Sequence, residues 1–275
     1  DNGWGVKLSI AGTDGGGYSN TYVNITLPGM GDVRIDQGVS GTGIQRLDDI
    51  TPTVWEEADG AGISAGINKI TGTSAGTTIE ITPTEMMPAG LTTRFAFSKD
   101  SDSGQANDKA ASGASGALGG GWDVTLEASD EFTNVPGLTI YGGISQVDQY
   151  QNAATHDGDK EETVIGAKYA MGGFTVGYQK GAVASSGTAE TAYLNEYVGV
   201  SYAISDDLSV SYNRIESRKS SDAVGDAVDQ EIDSISLSYT VGGMTIGVLD
   251  AEADNAAYTR GRTQSATSVQ MSVAF

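Results

Sequence analysis

The chain is a succession of short stretches in which apolar and polar residues alternate at period two, joined by connections that are alternately brief and long. Period two sends successive side chains to opposite faces of a strand, so each stretch has one greasy side and one polar side. Fourteen strands are predicted: 4–11, 20–27, 31–38, 77–84, 91–100, 122–129, 138–150, 162–170, 174–181, 192–204, 208–216, 232–241, 244–251 and 266–275. None carries a proline in its middle. Brief, mostly glycine-bearing turns such as "PGMG" (28–31), "MGG" (171–173) and "GG" (242–243) alternate with long polar stretches such as 39–76, 101–121 and 217–230. All short turns therefore gather at one end of the sheet and all long loops at the other. An up-and-down meander requires that segregation, and a Greek-key sandwich has no reason for it.

The parity is consistent from strand to strand. Val33 and Ile35 oppose Arg34 and Asp36; Ile79 and Ile81 oppose Glu80 and Thr82; Val124 and Leu126 oppose Asp123, Thr125 and Glu127. Ile235, Leu237, Tyr239 and Val241 oppose Ser234, Ser236, Ser238 and Thr240. The apolar face is a modest mixture of Val, Ile, Tyr and Ala, too lean to fill a dry core between two large sheets but sufficient to dissolve in lipid. Aromatic residues cluster at strand ends, with Tyr169, Phe174, Tyr202, Tyr239 and Phe275 near the short turns and Phe97, Trp122, Tyr178 and Tyr212 toward the long loops. Two interfacial girdles have that distribution. The terminal Phe275 then closes the last strand at the lipid boundary on the short-turn side.

No run approaches the roughly 18–20 apolar residues of a membrane-crossing helix, and "DNGWGVKLSI" lacks an apolar signal core. Any crossing is by strands. With 15 Lys plus Arg against 36 Asp plus Glu, the formal charge of −21 repels nucleic acid and other polyanions. Zero cysteines exclude disulfides and thiolate metal sites.

Three features resemble the Gram-negative general porins, the trimeric sixteen-stranded outer-membrane channels. They are the closing strand "SVQMSVAF", the alternation of short turns and long loops, and "VRIDQGVSGTGIQRLDDITPTVWEEADGAG" (33–62), a strand that leads into a long acidic segment. The resemblance covers essentially the whole chain and implies an all-β, antiparallel, up-and-down transmembrane β-barrel forming one domain over 1–275, with 39–76 folded inside it as a constriction loop. It also implies a homotrimer embedded among outer-membrane lipid and lipopolysaccharide. In the family that loop follows the fifth strand, whereas here it follows the third. The first hairpin of a sixteen-stranded barrel is therefore expected to be absent from this sequence, a complete fourteen-stranded barrel being the alternative.

Function then rests on permeation rather than covalent chemistry. The wall of so large a barrel cannot fill its own lumen, so the infolded loop must narrow it. The loop carries Asp48, Asp49, Glu56, Glu57 and Asp59, and the parity puts Lys7, Arg34, Arg94 and Lys168 on the lumen wall together with the acid Glu80. Acids on one side and bases on the other predict a transverse field that filters small hydrophilic solutes by size and charge; the bland alternative pairs Arg34 with Asp36 on its own strand. Two rival readings are a secreted acidic β-protein that binds carbohydrate or a surface partner, and a barrel that serves as adhesin or receptor through its long loops.

Enzymatic signals are poor. The sole histidine, His156, sits in the loop "THDGDKEE", so a Ser–His hydrolase would need its base on the rim rather than on the barrel's lipid side, and the pair Glu56 and Glu57 is adjacent and so points oppositely on an extended chain. No cofactor is expected. Loop calcium is a weak alternative, at Asp100 and Asp102, where the sixth position is Ala106 and no Glu follows at the twelfth, or in "DGDKEE" (157–162).

Overall fold

A computed structural model describes residues 3–12, 18–38, 41–63, 65–74, 76–101, 118–149, 159–185, 191–221 and 224–273. They form a single antiparallel sheet of 14 strands in strictly sequential order. The strands are β1 (Gly5–Gly12), β2 (Tyr18–Leu27), β3 (Gly31–Asp36), β4 (Thr78–Thr82), β5 (Leu91–Ser98), β6 (Leu118–Ala128) and β7 (Leu138–Gln149). They continue as β8 (Lys160–Met171), β9 (Phe174–Ser185), β10 (Thr191–Ala203), β11 (Leu208–Ser221), β12 (Val224–Val241), β13 (Met244–Asp254) and β14 (Gln264–Val273). Every predicted strand is present. Among the described pairings β1 and β14 are the two edges. Phe275 and His156 lie outside the described residues, as do Asp102, Asp157 and Gly158 of the two calcium candidates.

The two faces differ as the alternation predicts. Ile79, Phe97, Ile165, Val176, Tyr212, Ile235 and Met271 point outward and are between 41% and 65% exposed in the isolated chain. Inward positions on the same strands are buried, and many are polar: Glu80, Asp123, Ser145, Glu162, Gln179, Asn195, Ser211 and Ser236. A protein with its apolar side chains on the outside and its polar ones within is turned inside out relative to a water-soluble core, and hydrocarbon is the solvent that makes this favourable.

The upper boundary of the apolar band also reports strand tilt. On β8 the band ends at Ile165 and on β12 at Ile235, with Glu231 and Asp233 outward above it. Across the ladder Ile165 aligns through Lys180, Glu196 and Glu216 with Glu231, four residues beyond Ile235, so the band descends four residues over four strand steps. One residue per strand, at a rise of about 3.3 Å and a spacing of about 4.8 Å, is a tilt of about 35°, as strands of closed barrels have.

The short turns need little chain. Gly172 and Gly242 adopt φ of 59° and 56°, the left-handed conformation that a two-residue hairpin demands. Beside one such turn Phe174 stacks on Tyr202 at 4.1 Å between centroids, an aromatic pair on the short-turn rim.

Candidate functional site

The segment after β3 lies on the inner face and is tied to the wall along its whole described length. Its first limb forms a 3-10 turn at Gly43–Leu47 and its far end another at Ala58–Ala61. Three buried carboxylates on β4, β6 and β8 grip the backbone N–H groups of both limbs. Glu80 accepts from Gly43 N at 2.7 Å; Asp123 accepts from Ile44 N and Thr73 N, each at 3.2 Å; Glu162 accepts from Thr71 N at 3.1 Å and from Gly72 N. These three carboxylates share one rung of the ladder, which runs Lys7, Asn24, Arg34, Glu80, Ala96, Asp123, Ser145, Glu162. An ionised carboxylate is the strongest acceptor a strand can offer to N–H groups that have no other partner.

Further along, Gln179 donates to the carbonyls of Leu47 and Asp48 at 2.8 Å, Asn213 donates to Pro52 O at 2.9 Å, Ser211 accepts from Val54 N at 3.1 Å, and Asn195 donates to Asn68 O at 2.8 Å. Two apolar contacts complete the seat. Ile44, Leu47 and Ile70 pack on Tyr141, Val164 and Val183, while Ala58, Ile63 and Ala65 pack on Tyr197, Ile215, Ile232 and Leu249. The loop thus hugs the wall from β4 to β13 and leaves the inner faces of β1 to β3 opposite it.

Glycines on the wall make the close approach possible. A Cβ on Gly199 would stand 2.8 Å from Pro52 O, and one on Gly247 would stand 1.9 Å from the Trp55 ring. Sequence reasoning read these glycines only as a mark of strands and turns. The signal was available, because Gly143, Gly177, Gly199 and Gly247 all fall on inward positions of strands in the second half of the chain.

The charges are arranged differently from the expected opposition of loop acids and wall bases. Arg34 pairs with Asp36 on its own strand at 2.7 Å and lies over the Tyr22 ring at 3.8 Å. Arg94 pairs with Glu127. Glu80, expected to line the lumen, is 3% exposed and is engaged by Arg46 of the loop at 2.7 Å. Lys7 is exposed on the inner face of β1, and Lys168 is half-buried on β8 opposite Gly177. On the loop, Lys69 binds Glu57 and, at 3.1 Å, Asp59. Asp49 accepts from Thr51 Oγ1 at 2.7 Å, Asp48 accepts from the Asp49 backbone N–H, and Glu56 is exposed. Two local clusters result: arginines Arg34, Arg46 and Arg94 interleaved with wall acids, and a group of loop acids around one lysine. Arg46 and Lys69 were not singled out from the sequence, since strand parity says nothing about charges within a loop.

Enclosure by the loop and wall shifts the loop groups. Burial pushes the Asp49 carboxyl up to about 7, with the neighbouring Glu57 charge adding to the rise and the Thr51 hydroxyl opposing it. Burial likewise raises Asp48 and Glu57, against the pull of Lys69. Among the described residues no group of three or more His, Asp or Glu is placed to hold a metal ion.

No protein-family model matches the chain, and no curated protein matches it. Solved structures do. An anion-selective porin from Comamonas acidovorans superposes with a TM-score of 0.69 at 15% identity, covering 99% of this chain and 84% of that one. The chain has the porin fold. The porin fold is shared too by OmpF of Salmonella typhi in complex with daunomycin, with a TM-score of 0.64 at 12% identity over 93% of this chain and 78% of that one. OmpT of Vibrio cholerae in its trimer form gives 0.58 at 9% identity over 92% and 78%.

Proposed function

We infer that this porin-fold chain is a passive diffusion channel of the bacterial outer membrane, passing small hydrophilic solutes and ions without covalent chemistry. The observation that carries the reading is a polar interior, narrowed by a loop seated on its wall, inside a sheet whose exposed face is apolar. Such a structure is dissolved by lipid on one side and by water on the other. The trimer form of one structural neighbour supports a homotrimer.

Selectivity follows from the charges that border the remaining opening. The loop carries Asp48, Asp49, Glu56, Glu57 and Asp59 against Arg46 and Lys69, a majority of acid that favours cations. On the adjoining wall stand the partly exposed Arg34, beside the loop, and Lys7 on β1. Pairing with Asp36 weakens the field of Arg34 without cancelling it, because the guanidinium keeps a face toward water. Solutes that are polar and can align with this field pass, and apolar ones must displace the water it orders.

Reconstitution into a planar bilayer tests the proposal. Stepwise ohmic conductance is expected, together with heat-modifiable migration in detergent. A protein that stays monomeric in buffer without detergent and gives no conductance steps is the soluble rival instead. A barrel that inserts but never conducts is the adhesin or receptor.

A further inference from the structure

The segment after β3 is held by more than the wall. The connection from β13 to β14 turns to the inner face, and three of its residues leave ordinary backbone geometry there: Asn255, Ala257 and Tyr258 take φ of 52°, 54° and 55°. Asparagine adopts that left-handed conformation readily, whereas alanine and tyrosine keep it only where their surroundings impose it. Those surroundings are present. Ala256 is fully buried in the apolar cluster that seats Ala58, Ile63 and Ala65. Ala257 N donates to Ala65 O at 2.7 Å, and Tyr258 N donates to the side-chain oxygen of the buried Gln230 at 3.3 Å. The Tyr258 ring lies 5.4 Å from that of Tyr193, with the Lys219 ammonium 5.6 Å from each.

The Tyr258 hydroxyl also closes a ring of hydrogen bonds. Ser217 gives its one proton to Asn195 Oδ1, so in the 2.7 Å contact between hydroxyls Tyr258 is the donor to Ser217, and the Tyr258 oxygen accepts from Asn68 N at 3.5 Å. Asn195 completes the ring by donating to Asn68 O at 2.8 Å. One polar group of Asn68 is thus held by the wall and the other by the outer connection.

We propose that the connection between β13 and β14 is a latch on the inner loop, with Tyr258 the positioning residue that keeps residues 65–68 against the wall and so limits the bore. The proposal rests on the channel reading above. The wall carboxylates Glu80, Asp123 and Glu162 hold residues 43–44 and 71–73. Over residues 58–68 the described ties to the barrel are the apolar cluster, Asn195 and this latch. Its remaining residues, 259–263, are exposed, so a segment within reach of the surrounding water sets the position of one inside the barrel.

Thiol labelling in detergent tests the latch without needing a current. The chain has no cysteine, so Ile67→Cys places a single probe on the latched end, where Ile67 packs against the cluster, and Ile44→Cys in a separate protein places one under the end held by carboxylates. Losing the hydroxyl leaves the Asn68 N–H without its acceptor, which raises the population of the released end about tenfold. Tyr258→Phe is therefore expected to speed modification of Ile67→Cys by a charged methanethiosulfonate about tenfold and to leave that of Ile44→Cys unchanged, each compared with its Tyr258 parent. Unchanged modification of Ile67→Cys overturns the proposal, as does equal acceleration at both positions, which general loosening of the fold produces. In bilayers Tyr258→Phe is expected to visit conductance levels above that of wild type, and their absence beside faster labelling overturns the link to the bore. The two readings fail separately: a protein whose labelling responds but which never conducts keeps the latch and loses the channel, and one that conducts with labelling unchanged by Tyr258→Phe does the reverse.

Discussion

Replacing Glu162 by alanine removes the only carboxylate among the described residues that serves Thr71 N and Gly72 N in the returning limb, and it strips Lys160 of its carboxylate partner at 2.7 Å while leaving its bond to Thr71 Oγ1 at 2.8 Å. The side chain is buried, so water does not take its place. A hydrogen bond to a charged acceptor contributes about 1.5–3 kcal/mol, so two such bonds put the loss at about 3–6 kcal/mol before Lys160 is counted. Even about 4 kcal/mol multiplies the population of a released limb by about a thousand. The limb is not freed outright, because Asp123 still holds Thr73 through its N–H at 3.2 Å and its hydroxyl at 2.9 Å. Single-channel recording is the assay. Glu162→Ala is expected to show excess open-channel noise and extra conductance levels as residues 71–73 leave the wall and return, and Glu162→Gln, which keeps an oxygen acceptor, to fall between. Heat-modifiable migration checks that the barrel still forms. Recordings of folded Glu162→Ala that match wild type in both noise and conductance would refute the view that this carboxylate seats the loop.

Gly247→Val should expel the Trp55 indole from the wall, since a Cβ there would stand 1.9 Å from its ring; a red shift of tryptophan emission measured in a Trp4→Phe, Trp122→Phe background reports it. Arg34→Ala and Arg94→Ala should each raise the cation-to-anion permeability ratio by about twofold, read from reversal potentials in a salt gradient, and unchanged selectivity in both would remove them from the filter. Between pH 6 and pH 8 the Asp49 carboxyl, raised to about 7, passes from mostly protonated to mostly ionised, so cation preference should climb over that interval and the climb should vanish in Asp49→Asn. The sign for stability is opposite: a carboxyl raised in the folded state favours folding below its unfolded value, and that contribution is lost as pH rises through about 7.

The strands were legible because one face had to be apolar. Where that demand ends, so does the signal: β11 runs on to Ser221 and β12 begins at Val224, although period two fades at Glu216 and returns at Ile232. In those extensions Ser217 and Gln230 face inward while Glu216, Arg218 and Glu231 face outward, so both sides are polar and the alternation has no contrast. The segment after β3 was legible as a long acidic insertion. Its charge pairing was not, apart from Arg34 and Asp36, which two-residue spacing on one strand already puts side by side. Arg46 meets Glu80 only once the loop has been laid on the wall, and a list of faces contains no such adjacency.

The described side-chain hydrogen bonds that bind the loop come from β4, β6, β8 to β11 and from Tyr258 beyond β13, which makes it a brace spanning one arc of the sheet. An arc stiffened from within resists being squeezed out of round, and the strain of a bending or thickening bilayer is displaced to the arc that has no brace, at β1 and β2. The bore would then widen or shrink by movement of that unsupported side toward or away from a stationary loop. In such a pore the loop is the fixed jaw and the bare wall the moving one.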